Sequence, residues 1–187
     1  MEVEQVRRRC RVGLAFALLV LMAAPVSSRG EVVVSRERVV GMLSAYESLP
    51  AREEWLHLGG DAVTILIEVA NDSRELTFRR VRALTVLGYF PDPRAVEALE
   101  SVVSSADAPP SYRRSALLAL ANASPRRALA PLEEAVNSPD PLMRQVAIKA
   151  LGQMPGPEAS ALLEARRAKE DRAFLRERIE RAIAERK

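Results

Sequence analysis

Apolar residues recur three and four positions apart along most of the chain. Val81, Leu84 and Leu87 flank Ala83, and Val96, Leu99, Val102 and Val103 follow the same rule, which is the spacing of one face of an α-helix. The pattern also repeats at longer range. Arg82–Gly88, Ser115–Ala121 and Val146–Gly152 align, with Ala83, Ala116 and Ala147 separated by 33 and 31 residues. A second register runs through Ala62–Leu66, Ala95–Leu99, Ala128–Leu132 and Ala159–Leu163, with steps of 33, 33 and 31. Two helical registers sharing one period make the repeating unit a helical hairpin. From Gly88 to Ala95, Ala121 to Ala128 and Gly152 to Ala159 the step is always seven residues. The other connection varies, with 17 residues from Leu99 to Ala116 and 15 from Leu132 to Ala147.

Start signals fall where this scheme needs them. Asp92-Pro93, Ser124-Pro125 and Asp140-Pro141 each offer a side-chain acceptor at the N-cap and a proline at the first helical position, where the missing N–H costs nothing. Gly88 and Gly152 are expected to close helices in the left-handed conformation. The spacing predicts helices over 36–48, 51–57, 60–71, 75–88, 93–104, 110–122, 125–137, 141–153, 157–168 and 171–185. No part of the body reads as a strand.

The period, the paired helices and the run from Pro139 to Gly152 are similar to HEAT repeats, in the short HEAT-like variety also found in phycobilin lyases. That resemblance extends over about residues 60–185. It implies an all-α fold, an α-solenoid of about four to five antiparallel helical hairpins. It also implies a structural ladder in which Arg144 bonds across the repeat turn to Asp140. Arg80 and Arg113 occupy the place of Arg144, whereas Asp72 and Asp107 stand at looser spacing. Residues 29–59 are an atypical N-terminal cap and 60–187 the repeats. The last helix forms a charged lid, with Phe174, Leu175, Ile179 and Ile183 on one side and Arg172, Glu177, Glu180 and Glu185 on the other.

Residues 1–28 have the order of a secretory signal. Arg7, Arg8, Arg9 and Arg11 precede an apolar run from Val12 to Val26, and Ser27-Ser28 offers a cleavage site. Some 15 residues are fewer than the roughly 20 that span a bilayer as a helix. Cleavage after Ser28 would leave a periplasmic or secreted protein. Retention of residues 12–26 would leave it membrane-anchored.

Composition removes several function classes. Beyond Ser28 there are 24 basic and 23 acidic side chains, too little positive surplus for a phosphate-binding surface, so nucleic acid is not an expected partner. Cys10 and His57 are the only residues of their types, which leaves no cysteine–histidine metal site and no Ser–His or Cys–His relay beyond His57 itself. There is no phosphate-binding glycine loop, zinc-helix motif or nucleophile elbow. No catalytic, cofactor-binding or metal-binding residues are therefore expected.

The remaining candidates concern partner binding. Glu100, Glu133 and Glu164 recur five residues after the second-register alanines, with Glu68 and Glu134 beside this series. If the second helices line the inner surface, these residues form an acidic ridge facing away from Arg79, Arg80, Arg82, Arg113, Arg114 and Lys149. The alternative is mutual pairing at the surface, worth only about 0 to 1 kcal/mol per pair. Tyr89 and Phe90 sit at a hairpin turn and either anchor a partner or pack between turns. The function expected from the sequence is a non-catalytic exported HEAT-repeat protein that acts as an interaction or scaffolding module for protein partners. The alternatives are a bilin-lyase-like HEAT enzyme and a membrane-tethered assembly factor.

Overall fold

Proline after a capping side chain starts the helices as expected. In the computed structural model, which describes residues 34–186, Asp92 accepts from the Arg94 amide and Asp140 from the Leu142 amide. Ser124 also precedes a helix, without a side-chain bond. The leader, with Cys10, lies outside the described residues. The helices are α1 (Arg36–Leu43), α2 (Arg52–Leu56), α3 (Gly59–Asn71), α4 (Thr77–Leu87), α5 (Pro93–Ser104), α6 (Pro110–Ala123), α7 (Pro125–Val136), α8 (Pro141–Gln153), α9 (Pro157–Arg167) and α10 (Ala173–Ala184). No strand occurs among the described residues.

The helices form an α-solenoid of two layers. The first helices α4, α6, α8 and α10 pack on one another in order, while α3, α5, α7 and α9 form the second layer. Each of α4, α6 and α8 also touches the second-layer helix on either side of it. Between the layers lies one continuous core, in which Leu66, Leu84, Leu87, Leu99, Leu117, Leu120, Leu132, Ile148, Leu151 and Leu163 are all but fully buried. Each such side chain stabilises the stack by roughly 1.5–3 kcal/mol relative to exposure. Trp55 and Leu58 extend that core beneath the first repeat.

Helix α1 ends at Leu43 rather than running to residue 48. Arg82 of α4 explains the early stop, because its Nη1 donates to the carbonyls of Leu43 (2.8 Å) and Ala45 (2.7 Å) and satisfies the helix end. Tyr46 beyond it is almost wholly exposed.

The glycines serve packing instead of a left-handed turn. Gly88 has φ −65° and Gly152 lies within α8. A Cβ on Gly88 would stand 2.7 Å from the Cα of Ala119 and 2.8 Å from its carbonyl oxygen, so the end of α4 meets the backbone of α6 directly. A Cβ on Gly152 would meet the Cβ of Ala182 at 3.0 Å. Ala83, Ala116, Ala119, Ala147 and Ala150 keep the rest of this layer equally slim. The second helices approach one another less closely than the first helices do. Small residues are what allow the first layer to pack this tightly.

Replacing Gly88 with Ala forces the backbone of α6 to move. G88A is expected to lower stability by about 1–3 kcal/mol, the usual range for overpacking. The loss should exceed that of G152A, whose neighbour is a methyl group on the terminal helix. Urea unfolding of the three proteins checks this order.

Candidate functional site

The arginine ladder is present, but its partners differ from those expected. Arg144 is buried and forks onto Glu170, with Nε to Oε2 and Nη2 to Oε1 both at 3.0 Å. Its Nη1 donates to the carbonyls of Ser138 (3.0 Å) and Pro139 (3.1 Å) in its own repeat turn. Arg166 adds a third bond to Glu170 at 2.9 Å, and the Arg172 amide a fourth at 3.1 Å. Asp140 is therefore not the partner of Arg144. It caps α8 and pairs with Arg114 at 3.2 Å. The physical reason is reach: Asp140 is occupied by the first turn of its own helix, while the next repeat supplies a longer carboxylate. Burial pushes the Glu170 carboxyl up, yet the hydrogen bonds from Arg144, Arg166 and the Arg172 amide outweigh it and hold the group at about 2.

Arg80 follows the same logic with a neutral acceptor. Its Nε donates to the Ala70 carbonyl at 3.0 Å and its guanidinium lies 4.8 Å from the ring centre of buried Tyr112. Arg113 reaches no such acceptor among the described residues.

The glutamates share one layer without forming an uninterrupted acidic ridge. Glu100 is paired with Arg127, Glu164 with Arg167 at 2.7 Å, and Glu68 lies 4.0 Å from Arg36. Of these five glutamates, only Glu133 and Glu134 have no ion pair among the described residues, and both are exposed. Two of these pairings arise because the second helices carry arginines as well, Arg127 on α7 and Arg167 on α9, while Glu68 faces Arg36 of α1. Phe90 is buried in the core and cannot anchor a partner in this conformation, while Tyr89 is half-buried with its carbonyl bonded to Arg52 at 3.2 Å. His57 is exposed and Trp55 buried.

A concave site lies where the sequence drew no attention. Two successive hairpin turns, α6–α7 and α8–α9, stand side by side and leave a groove of about 670 Å³. Ala123, Pro125, Leu129, Met154, Pro155 and Ala159 supply apolar walls; Ser124, Arg126 and Glu158 supply the polar groups. Gly156 makes the second turn possible through its φ of 107°. Arg186 holds that turn from the far side, donating to the carbonyls of Leu151 (2.6 Å), Gly152 (3.3 Å), Met154 and Gly156 (2.7 Å) and to the Ser160 hydroxyl (3.0 Å). The volume suits a small organic molecule, and one cation facing one anion can fix its orientation. Among the described residues no cluster of His, Cys, Asp and Glu could hold a metal ion, and no helix is long and apolar enough to cross a membrane.

Sequence reasoning missed this groove because its residues come from two turns 31 to 33 positions apart. The only available signal was the constant seven-residue step, which stacks those turns at one edge.

Residues 103–184 match the HEAT repeats family, and residues 79–105 match the PBS lyase HEAT-like repeat. No curated protein matches the chain. Among solved structures, the chain is similar to one in the complex of CpcE and CpcF of phycocyanin lyase from Nostoc sp. PCC7120. The TM-score is 0.61 and the identity 22%, over 79% of this chain and 96% of that one. The protein therefore carries HEAT-like repeats on an α-solenoid. The same matches overturn two expectations, that of a non-catalytic scaffold and that of a protein that is not an enzyme. The repeat type matched at residues 79–105 favours the bilin-lyase-like alternative.

Glu170 gives the ladder a pH signature. With its carboxyl held at about 2 against an ordinary 4.5, only the unfolded chain takes up this proton between those values. The stabilisation is thus complete above about pH 4.5 and fades as pH falls toward 2. E170Q strands the buried Arg144 charge and is expected to lose about 3–5 kcal/mol at neutral pH. The gap between variant and wild type should narrow on acidification, as followed by urea unfolding at several pH values.

Proposed function

We propose that this chain, whose residues 79–105 match the PBS lyase HEAT-like repeat, is a bilin-lyase-like enzyme that handles an open-chain tetrapyrrole alongside a protein partner. That repeat match is the observation that carries the reading. The groove between the α6–α7 and α8–α9 turns is the site that fits such a ligand. Its apolar walls suit a flat conjugated chain, the Arg126 guanidinium suits a propionate, and the Glu158 carboxylate suits the pyrrole N–H groups. The lyase of known structure is a complex of two chains, which supports a partner here as well.

The leader forms the second part of the proposal. Arg7–Arg11 followed by Val12–Val26 directs the protein out of the cytoplasm, with cleavage after Ser28. The intact mass of the protein recovered from the extracytoplasmic fraction reads this directly: a start at Arg29 is expected, and a retained leader would make it membrane-anchored.

Purified protein titrated into biliverdin should shift the bilin absorption band with a one-to-one endpoint. An unshifted spectrum at protein excess would overturn the enzyme reading. R126E should weaken binding about 3- to 10-fold, the scale of one exposed ion pair turned to repulsion.

A further inference from the structure

The two walls of the groove are not built alike. The α6–α7 wall turns on Ser124 alone, which ends α6 and starts α7 and whose amide donates to the Leu120 carbonyl at 2.8 Å. The α8–α9 wall has three residues, Met154, Pro155 and Gly156, between the end of α8 and Pro157. Proline has no N–H to anchor this connection, and Gly156 sits at φ 107° with no Cβ to restrict it. Such a connection has little in itself to fix its shape.

Arg186 supplies the restraint, and the lid helix α10 brings it there. Gly152 lets α10 come so close to α8 that a Cβ would meet the Ala182 Cβ at 3.0 Å, and Arg186 follows Ala182 by four residues. From that place its guanidinium donates to the carbonyls of Leu151 (2.6 Å), Gly152 (3.3 Å) and Met154 at the end of α8. It also donates to the Gly156 carbonyl (2.7 Å) just before α9 and to the Ser160 hydroxyl (3.0 Å) within α9. The last carbonyls of a helix have no partner in their own helix, and a cation suits that negative end. Arg186 is not among the residues that line the groove, so the Met154 and Gly156 carbonyls it holds are turned away from the groove. The wall is left to the Met154 side chain, the Pro155 ring, Glu158 and Ala159.

We infer, resting on the bilin reading of this groove, that Arg186 is its positioning residue: from outside, it fixes the α8–α9 turn with the carbonyls outward, and so sets Glu158 against Arg126 and keeps that wall apolar. Released, the two carbonyls would be free to face the groove, where they would hydrate the wall and repel a ligand carboxylate. Arginine fits the task because its planar fork presents five donors, enough for acceptors on α8, on the turn and on α9 at once. Lysine keeps the charge but has three donors about a single point. The lid helix thus contributes to ligand binding without touching the ligand.

Hydrogen exchange and biliverdin titration of the whole protein read the turn and the ligand separately. In R186A the Met154 amide, bonded to the Ala150 carbonyl at 3.0 Å, should exchange at least roughly tenfold faster, while the Ser124 amide across the groove keeps its wild-type rate. Biliverdin should bind R186A at least about fivefold more weakly, and its absorption band at saturation should lie nearer that of free biliverdin. R186K should raise Met154 exchange and weaken biliverdin at least about twofold, and it covers the case in which R186A fails to fold. An unchanged Met154 rate, an equal rise at Ser124, or biliverdin bound equally well by R186A would overturn the role of Arg186 and leave the bilin reading standing. If the wild type itself leaves the biliverdin spectrum unshifted, the bilin reading falls, and the exchange rates alone decide whether Arg186 fixes the turn.

Discussion

A two-helix hairpin cannot bury its apolar face by itself, so everything in this protein depends on how closely one hairpin approaches the next. The approach is set where Gly88 at the end of α4 meets the Ala119 backbone of α6. That contact leaves no room for a side chain, and the alanines of the first layer continue it along the stack. Once the first helices are this close, the larger side chains must fill the space between the layers, and the leucine core follows. The second layer is left more widely spaced. The core and the spacing of the two layers thus share one cause.

Charge does a different job from packing. Repeat turns expose carbonyls that no helix satisfies, and arginines on the first helices reach back to them. At the last turn this becomes a closed network, with Glu170 holding Arg144 and Arg166 while its own carbonyl holds Arg176. Such a network is no stronger evidence of net stability than an apolar core of equal volume, but removing one member leaves a buried charge. Its value lies in fixing the angle between the final repeat and its lid. Arg186 extends that fixation to the α8–α9 turn, and so to one wall of the groove.

The sequence contains no catalytic motif of the usual kinds, but in a solenoid such an absence says little about activity. Repeat proteins build sites from turns that are distant in sequence and adjacent in space, so their chemistry has no local signature. Ser124 and Arg126 on one turn and Glu158 by the next converge only after stacking.

Periodicity by itself determined the helices, their pairing and the solenoid, because those follow from spacings of three and four residues within a unit and about 33 between units. It also placed Arg80, Arg113 and Arg144 at one position of the repeat. Only the tertiary structure decided what each arginine meets: a carbonyl for Arg80, Glu170 for Arg144, and a cavity for Arg113. Phe90 turned inward and Glu100 found Arg127 for the same reason. A repeat dictates where a side chain starts, but its far end is governed by the neighbouring repeat, whose turn length and residues need not follow the same pattern.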